Sequence, residues 1–360
     1  MDMKKSVVIY VSSLRRGGAE KIAIRLAKGL ERHYHITLMV NTLEGHNTYT
    51  YEGDNLINLN IEAPSHSFWK GIINNFSRIE IIRKALKDCK ADIIICFGTK
   101  QSILVSLLKL VMGIKIVAYE QTILSDKRIG KLWYNLYKMT YALVDHIVIQ
   151  TNEGFEMILD RYKKKSVVIG NPIEIQDISR LEGIIKTNTL VSMGRLMKVK
   201  AFDYLIKVFN TTKDEHNWNL DIWGQGPEKD NLLALIKAYN LEDRVHLKGI
   251  TMDPLGVLSA SKIFVLTSEA EGFPNALAEA MSVGLPCISV DCPTGPKDLL
   301  SQDVGILIDR TQPAEMSKAI VTLINDEQQQ IELGKRGLNK IQEFDEERIM
   351  RKWVTVLDAL

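Results

Sequence analysis

Short apolar runs rich in β-branched residues alternate with amphipathic stretches along the chain, and they do so in two successive series. A run that can be buried on both faces, followed by enough residues for a crossover helix, is how a parallel sheet reads in sequence. In the first series the runs fall at 7–11, 36–40, 57–59, 93–97, 115–119, 147–150 and 167–169, with helical stretches at 19–29, 72–87, 102–112 and 132–144. After Asn171-Pro172 the periodicity weakens as far as Asn188, which predicts a linker. The second series has runs at 189–193, 219–223, 245–248, 263–267, 287–290 and 305–307, with helices at 202–210, 228–239 and 275–283. Two such series predict an α/β protein of two doubly wound, Rossmann-like domains, residues 1–170 and 171–344, facing across a cleft. A last stretch, 345–360, carries Ile349, Trp353, Val356, Leu357 and Leu360 at helical spacing. Its periodicity alone does not say where it packs.

Composition excludes two classes. With 46% hydrophobic and 25% charged residues the chain has the apolar content of a globular protein, so disorder is excluded. The most apolar stretch, 102–117, is cut by Lys109 and Lys115, short of the roughly 18 uninterrupted residues of a membrane span. Met1-Asp2-Met3-Lys4-Lys5 runs into a short strand without a signal-peptide core, which predicts a chain that stays in the cytoplasm. Cys89, Cys96, Cys287 and Cys292 have no His at zinc-site spacing and read as reduced thiols. The net charge of +2 hides an asymmetry: residues 1–170 carry 25 Lys/Arg against 16 Asp/Glu, the remainder 21 against 28. The basic half reads either as facing something anionic, a phosphorylated substrate or a membrane surface, or as an uneven scatter of solvated charge.

Four motifs fall where strands give way to helices. Gly17-Gly18, ahead of Ala19-Glu20, allows backbone N–H groups to approach a phosphate at a helix N-terminus, or is simply a turn. It matches neither the dinucleotide G-x-G-x-x-G spacing nor a P-loop. Gly194-Arg195-Leu196 with Lys200 pairs a guanidinium with an ammonium at a sheet's ligand edge, a combination suited to pyrophosphate. Gly224-Gln225-Gly226-Pro227 fits close backbone approach or a tight turn. In Glu271-Gly272-Phe273-Pro274-Asn275, Glu271 stands before a helix and Glu279 lies within it, with about 6 Å of helical rise between Asn275 and Glu279. The two carboxylates are spaced to grip different hydroxyls of one extended ligand, with the helix N-terminus between them open to a phosphate.

The order Gly-Gly-Ala-Glu, Gly-Arg-Leu with its Lys, Gly-Gln-Gly-Pro, Glu-Gly-Phe-Pro-x4-Glu, Gly284-Leu285-Pro286 and Gly295-Pro296 resembles the retaining glycosyltransferases of family 4, which have the GT-B fold. The resemblance covers nearly the whole chain and implies roles. Gly17 and Gly18 would line the donor diphosphate from the first domain, while Arg195 and Lys200 hold it from the second. Glu279 would bind the ribose hydroxyls and Glu271 the transferred sugar, with Gly224, Gly272, Phe273, Pro274 and Asn275 completing the donor site. The helix 345–360 would cross back onto the first domain. No metal or other cofactor is implied, and no Asp-x-Asp triplet occurs. UDP is the implied nucleotide, with GDP open.

Two positions depart from the family pattern. Many members carry His or Arg beside a Glu near the sugar, where this chain has Glu120-Gln121, and Gln121 can neither hold a charge nor relay a proton. Ala201 follows Lys200 in place of a usual glycine. Within the family the chain looks most like bacterial enzymes that extend polyprenyl-diphosphate-linked oligosaccharides. A helix with Phe68, Trp69, Ile72, Ile73, Phe76 and Ile79 among Lys70, Arg78, Arg83, Lys84 and Lys87 then reads as lying at the anionic inner face of the membrane, or as a core-facing helix with a basic outer face. Lys127, Arg128 and Lys131 form a second candidate contact. A nucleotide-sugar 2-epimerase and a silent nucleotide-sugar binder are the alternatives on this fold. A dehydrogenase lacks its glycine signature, and the acidic second half argues against nucleic acid.

Overall fold

The computed structural model describes residues 4–15, 17–43, 48–53, 55–61, 68–121, 124, 129–175, 183–300 and 303–360, without the side chains of 68–74 and 76. The chain divides into two compact units, Met1–Pro172 with Glu346–Leu360, and Ile173–Asp345. These limits lie one or two residues beyond the expected 170 and 344.

The first unit runs β1 (Ser6–Ser13), α1 (Gly18–Leu30), β2 (His35–Thr42), β3 (Leu56–Asn58), α2 (Phe68–Asp88), β4 (Ile93–Phe97), α3 (Thr99–Ser106), α4 (Lys109–Met112) and β5 (Lys115–Glu120). It continues with α5 (Lys131–Thr140), β6 (His146–Ile149), α6 (Asn152–Glu156), α7 (Asp160–Lys163) and β7 (Ser166–Val168). All its strand pairs are parallel, in the order β3-β2-β1-β4-β5-β6-β7. The single helix expected at 102–112 is two, because Gly98 starts α3 at Thr99 and the chain breaks at Leu107–Leu108.

The second unit holds β8 (Thr189–Met193), α8 (Phe202–Thr212), β9 (Asn219–Trp223), α9 (Lys229–Ala238), β10 (Val245–Gly249), α10 (Pro254–Ser259) and β11 (Ile263–Leu266). It closes with α11 (Asn275–Ser282), β12 (Cys287–Asp291), α12 (Pro296–Leu299), β13 (Ile306–Asp309), α13 (Pro313–Asn325) and α14 (Glu327–Ile341). Its order is β10-β9-β8-β11-β12-β13, again all parallel. Successive residues of a strand face opposite sides of the sheet, and both sides are covered here. Leu190, Ile263 and Val265 enter one apolar cluster, while Val191, Phe264 and Leu266 enter the other. The uninterrupted apolar runs of the sequence follow from that burial.

The last helix, α15 (Glu346–Asp358), packs in the first unit, with Ile349, Trp353 and Leu357 fully buried. The Trp353 ring stands edge-on to Tyr119 at 5.1 Å, Tyr34 Oη donates to Asp358 Oδ1 at 2.6 Å, and Lys5 Nζ donates to the Leu357 carbonyl at 3.3 Å. Gly29 lets the helix in, since a Cβ there would sit 2.5 Å from Met350 Sδ.

Among the described residues all four cysteines are free, and no helix is long and apolar enough to cross a membrane.

Candidate active site

In a doubly wound sheet the strand order reverses at one point, and the loops diverging there open a crevice at the carboxyl ends of the strands. In the second unit that point lies between β8 and β11. The loop after β8 carries Arg195 and Lys200; the loop after β11 carries Ser268, Glu271 and Gly272. Lys200 Nζ donates to Glu271 Oε1 at 2.6 Å, and Ser268 Oγ donates to the same oxygen at 2.5 Å. Among the described residues no donor reaches Oε2, so Glu271 keeps one acceptor oxygen available. The pair is largely withdrawn from solvent, the side chains being 24% and 9% exposed. Arg195 stands exposed on the same loop.

The Glu271 loop is held from both sides. Thr294 Oγ1 donates to the Glu271 carbonyl. Gly295, at φ +99°, lies so close that a Cβ would meet Pro274 Cδ at 2.6 Å. The Gly295-Pro296 motif therefore buttresses Glu271. Sequence reasoning assigned no role to Ser268 or Thr294; a hydroxyl beside a candidate carboxylate was the available signal. Glu269, two residues before Glu271, pairs with Arg310 at 2.6 Å.

Pro274, buried, precedes α11 and offers its first turn no side-chain cap, while the Asn275 N–H donates to the Phe273 carbonyl at 2.9 Å. Asn275 and Glu279 are half-buried on α11, and Gly272 is half-exposed ahead of it. Phe273 departs from the expected donor contact: its ring is 4% exposed, lies in the apolar core and packs 5.3 Å from Phe344. It anchors the loop by burial.

Gly224 also departs from its expected role. Its N–H donates to the Gly249 carbonyl at 2.7 Å and is therefore occupied. At φ +148°, a Cβ on Gly224 would fall 1.8 Å from the Gly194 carbonyl oxygen, and one on Gly226 would fall 2.3 Å from that of Leu196. Both glycines let the β9 loop cross the segment that bears Arg195. Backbone cannot yield as a side-chain tip can, so Gly224→Ala is expected to destabilise the second unit by about 2–3 kcal/mol. Urea unfolding against the unsubstituted chain measures it, and an unchanged midpoint would refute the contact. Ala201, where a glycine is usual, has φ +48° and ψ +42°, a left-handed conformation that costs a non-glycine residue roughly 1–2 kcal/mol. The departure at this position is conformational.

In the first unit the order reverses between β1 and β4. Gly17 stands at the N-terminus of α1 in extended conformation, and Gly18, its first residue, is exposed. Glu120 ends β5, but its carboxylate does not face solvent. The residue is 2% exposed, and Thr99 and Tyr141 hydroxyls donate to its two oxygens. The expected sugar contact through this carboxylate is corrected to an internal anchor joining β5, α3 and the Tyr141 turn. Gln121 follows, with its Nε2 buried and without an acceptor among the described residues.

Burial pushes Glu120 up to about 7 from an ordinary 4.5, against the opposing effect of its hydroxyl donors. Below 4.5 the carboxyl is protonated in both folded and unfolded chains. Between 4.5 and 7 only the folded chain keeps the proton, so stability falls as pH rises through that window and the loss is complete above it. Glu120→Gln stays neutral throughout. Its stability relative to the unsubstituted chain is expected to improve by on the order of 3 kcal/mol from pH 4.5 to 7.5, read from urea midpoints.

The helix read as a membrane contact is part of the core over its described half. Ile82 and Leu86 are buried, and Ile79 packs against the same cluster. Arg83 is paired with Glu80 at 2.6 Å, Arg78 donates to Asn75 Oδ1 at 3.4 Å, and Lys84 is exposed. The side chains of Phe68, Trp69, Lys70, Ile72, Ile73 and Phe76 lie outside the described residues, as do Lys127 and Arg128, while Lys131 is exposed at the start of α5.

The family model for glycosyl transferases group 1 matches residues 175–340, and that for glycosyltransferase family 4 matches residues 16–177. An uncharacterized glycosyltransferase of Haemophilus influenzae is 26% identical over 99% of this chain and 100% of its own. A second relative, from Campylobacter jejuni, is N-acetylgalactosamine-N,N'-diacetylbacillosaminyl-diphospho-undecaprenol 4-alpha-N-acetylgalactosaminyltransferase, 28% identical over 60% of both chains. Among solved structures, a mutant of S. aureus TarM in complex with fondaparinux, alpha-GlcNAc-glycerol and UDP superposes with a TM-score of 0.82 at 16% identity, covering 98% of this chain and 100% of its own. The two parallel Rossmann-like sheets are those of the GT-B glycosyltransferase fold.

Proposed function

We propose, for a chain that belongs to the group 1 and family 4 glycosyltransferases, transfer of a hexose or N-acetylhexosamine from a UDP-sugar to a glycan hydroxyl. The anomeric configuration is retained in this reading. The observation that carries it is the Lys200–Glu271–Ser268 cluster at the switch point of the second unit, beside the uncapped start of α11. The Lys200 ammonium, the Arg195 guanidinium and the helix end neutralise the diphosphate as it leaves, without a metal. Glu271, fixed through Oε1, turns Oε2 toward the sugar, orients it and stabilises positive charge developing at the anomeric carbon. Glu279 takes the ribose hydroxyls. The acceptor oxygen bonds to the anomeric carbon on the face from which the diphosphate departs. The bond from that carbon to the diphosphate oxygen breaks, and the acceptor's proton passes to that oxygen.

The Campylobacter relative, named for an undecaprenol-linked acceptor, supports a polyprenyl-diphosphate-linked glycan as acceptor and a chain working peripherally at the cytoplasmic membrane. Incubation with detergent-solubilised membrane lipid and radiolabelled UDP-Glc, UDP-Gal, UDP-GlcNAc, UDP-GalNAc or GDP-Man, in EDTA, tests the reading. Label is expected in the lipid fraction from one UDP-sugar and to be lost with Glu271→Ala. Label from GDP-Man would overturn the nucleotide, and abolition by EDTA would overturn metal independence. Transfer from none of the donors would overturn the lipid-linked acceptor.

A further inference from the structure

The opposite edge of the second sheet carries a pocket of about 320 Å³. Its lining includes Lys186, Lys262 and Lys335. Lys186 lies ahead of β8 and Lys262 immediately precedes β11, so the pocket opens at the amino ends of strands whose carboxyl ends lead to Lys200 and Glu271. Its apolar lining is the buried Val283, the half-buried Leu338 and the exposed Ile331. The wall is backbone against backbone: Gly284 is left-handed at φ +70°, and a Cβ on Gly334 of α14 would lie 2.3 Å from the Gly284 carbonyl oxygen. A pocket built on such a contact keeps its shape.

The charges in it are unbalanced. Among the described residues no carboxylate pairs with any of the three lysines, and Glu327 is the one acidic residue of the lining. Lys262 rests its ammonium 5.5 Å from the centre of the Trp218 ring, which eases its charge without neutralising it. Partial desolvation of the otherwise exposed Lys186, and then the Lys262 ammonium, push it below its ordinary value. The neighbouring Lys186 and Lys262 ammoniums repel one another, and an anion between them removes that penalty.

We propose that this pocket binds an anionic amphiphile, with a phosphate-type head held by Lys186, Lys262 and Lys335 and an apolar body over Val283, Ile331 and Leu338. A small apolar pocket with few convergent polar groups is the usual form of a small-molecule site. The site is separate from the transfer chemistry proposed above and does not rest on it. Its ligand could be a soluble phosphorylated metabolite or the headgroup of an anionic lipid.

The test is a calorimetric titration of the full chain with octyl phosphate, using octyl glucoside as the uncharged control. One-to-one binding is expected for octyl phosphate alone, weakened about tenfold or more in Lys186→Ala/Lys335→Ala and retained in Lys200→Ala. Lys186 and Lys335 are exposed and, among the described residues, pair with no carboxylate, so the double variant should fold. Flotation with vesicles of phosphatidylglycerol and phosphatidylcholine separates the sources. Flotation lost in the double variant identifies a lipid headgroup, and octyl phosphate binding without flotation identifies a soluble ligand. Absent binding, binding unaltered in the double variant, or binding lost with Lys200→Ala would each overturn the proposal.

Discussion

Lys200→Ala is expected to lower kcat/KM by about 10²–10³-fold, the usual effect of removing one preorganised group that meets charge developing in the transition state. The paired geometry makes a sharper expectation possible. Lys200 and Ser268 converge on one oxygen of a carboxylate that is 9% exposed. Removing the ammonium leaves that carboxylate with a hydroxyl alone, and a nucleotide diphosphate entering the crevice then meets an unshielded negative charge. UDP affinity should fall by about 10–100-fold in Lys200→Ala and recover in part in Lys200→Ala/Glu271→Gln. The two substitutions should show a coupling of about 1–3 kcal/mol. Titration of UDP into the four proteins measures the cycle. Strict additivity would mean that the ion pair has no bearing on diphosphate binding.

Trp353→Ala is expected to destabilise the first unit by about 3–5 kcal/mol. The indole is fully buried and meets Tyr119 edge-on, and Tyr119 Oη in turn donates to Asn171 Oδ1 at 2.5 Å. The deletion therefore opens a cavity and loosens a buried polar group together. Because α15 belongs to the first unit and not to the second, the loss should appear in only one of two unfolding steps. Cleavage within 1–172 in limited proteolysis follows the first unit, while UDP-dependent protection from proteolysis within 173–345 should remain. A shift of both steps by the same amount would show the units to unfold as one.

The central strands were legible because they are buried on both faces: residues 93–97 and 189–193 coincide with β4 and β8 to the residue, and 219–223 with β9, which is buried on one face and half-buried on the other. Helices α13 and α14 were not read, although β13 and Pro313 punctuate the start of α13; α14 follows it after Asp326 alone and is amphipathic with a strongly polar outer face. Within the site, Lys200 and Glu271 stood out by residue type and by the motifs around them. Gly224 did not reveal its purpose, since a glycine that clears another segment's carbonyl looks in sequence like one that approaches a ligand. Glu120 misled for a similar reason. A carboxylate at the end of a strand is equally placed to turn outward or inward, and only Thr99 and Tyr141, about 20 residues to either side, decide which.

The placement of α15 has a consequence for biosynthesis. The second unit is one unbroken segment and can fold once Asp345 has left the ribosome, whereas the first lacks the helix that covers Tyr119 until residues 346–360, which follow the second unit, are made. The usual order of translation, with the N-terminal domain folded first, is thereby reversed for the final packing step. Until then the nascent first unit exposes the apolar surface destined for Ile349, Trp353 and Leu357, and a ribosome stalled short of Glu346 would hold a client for chaperones.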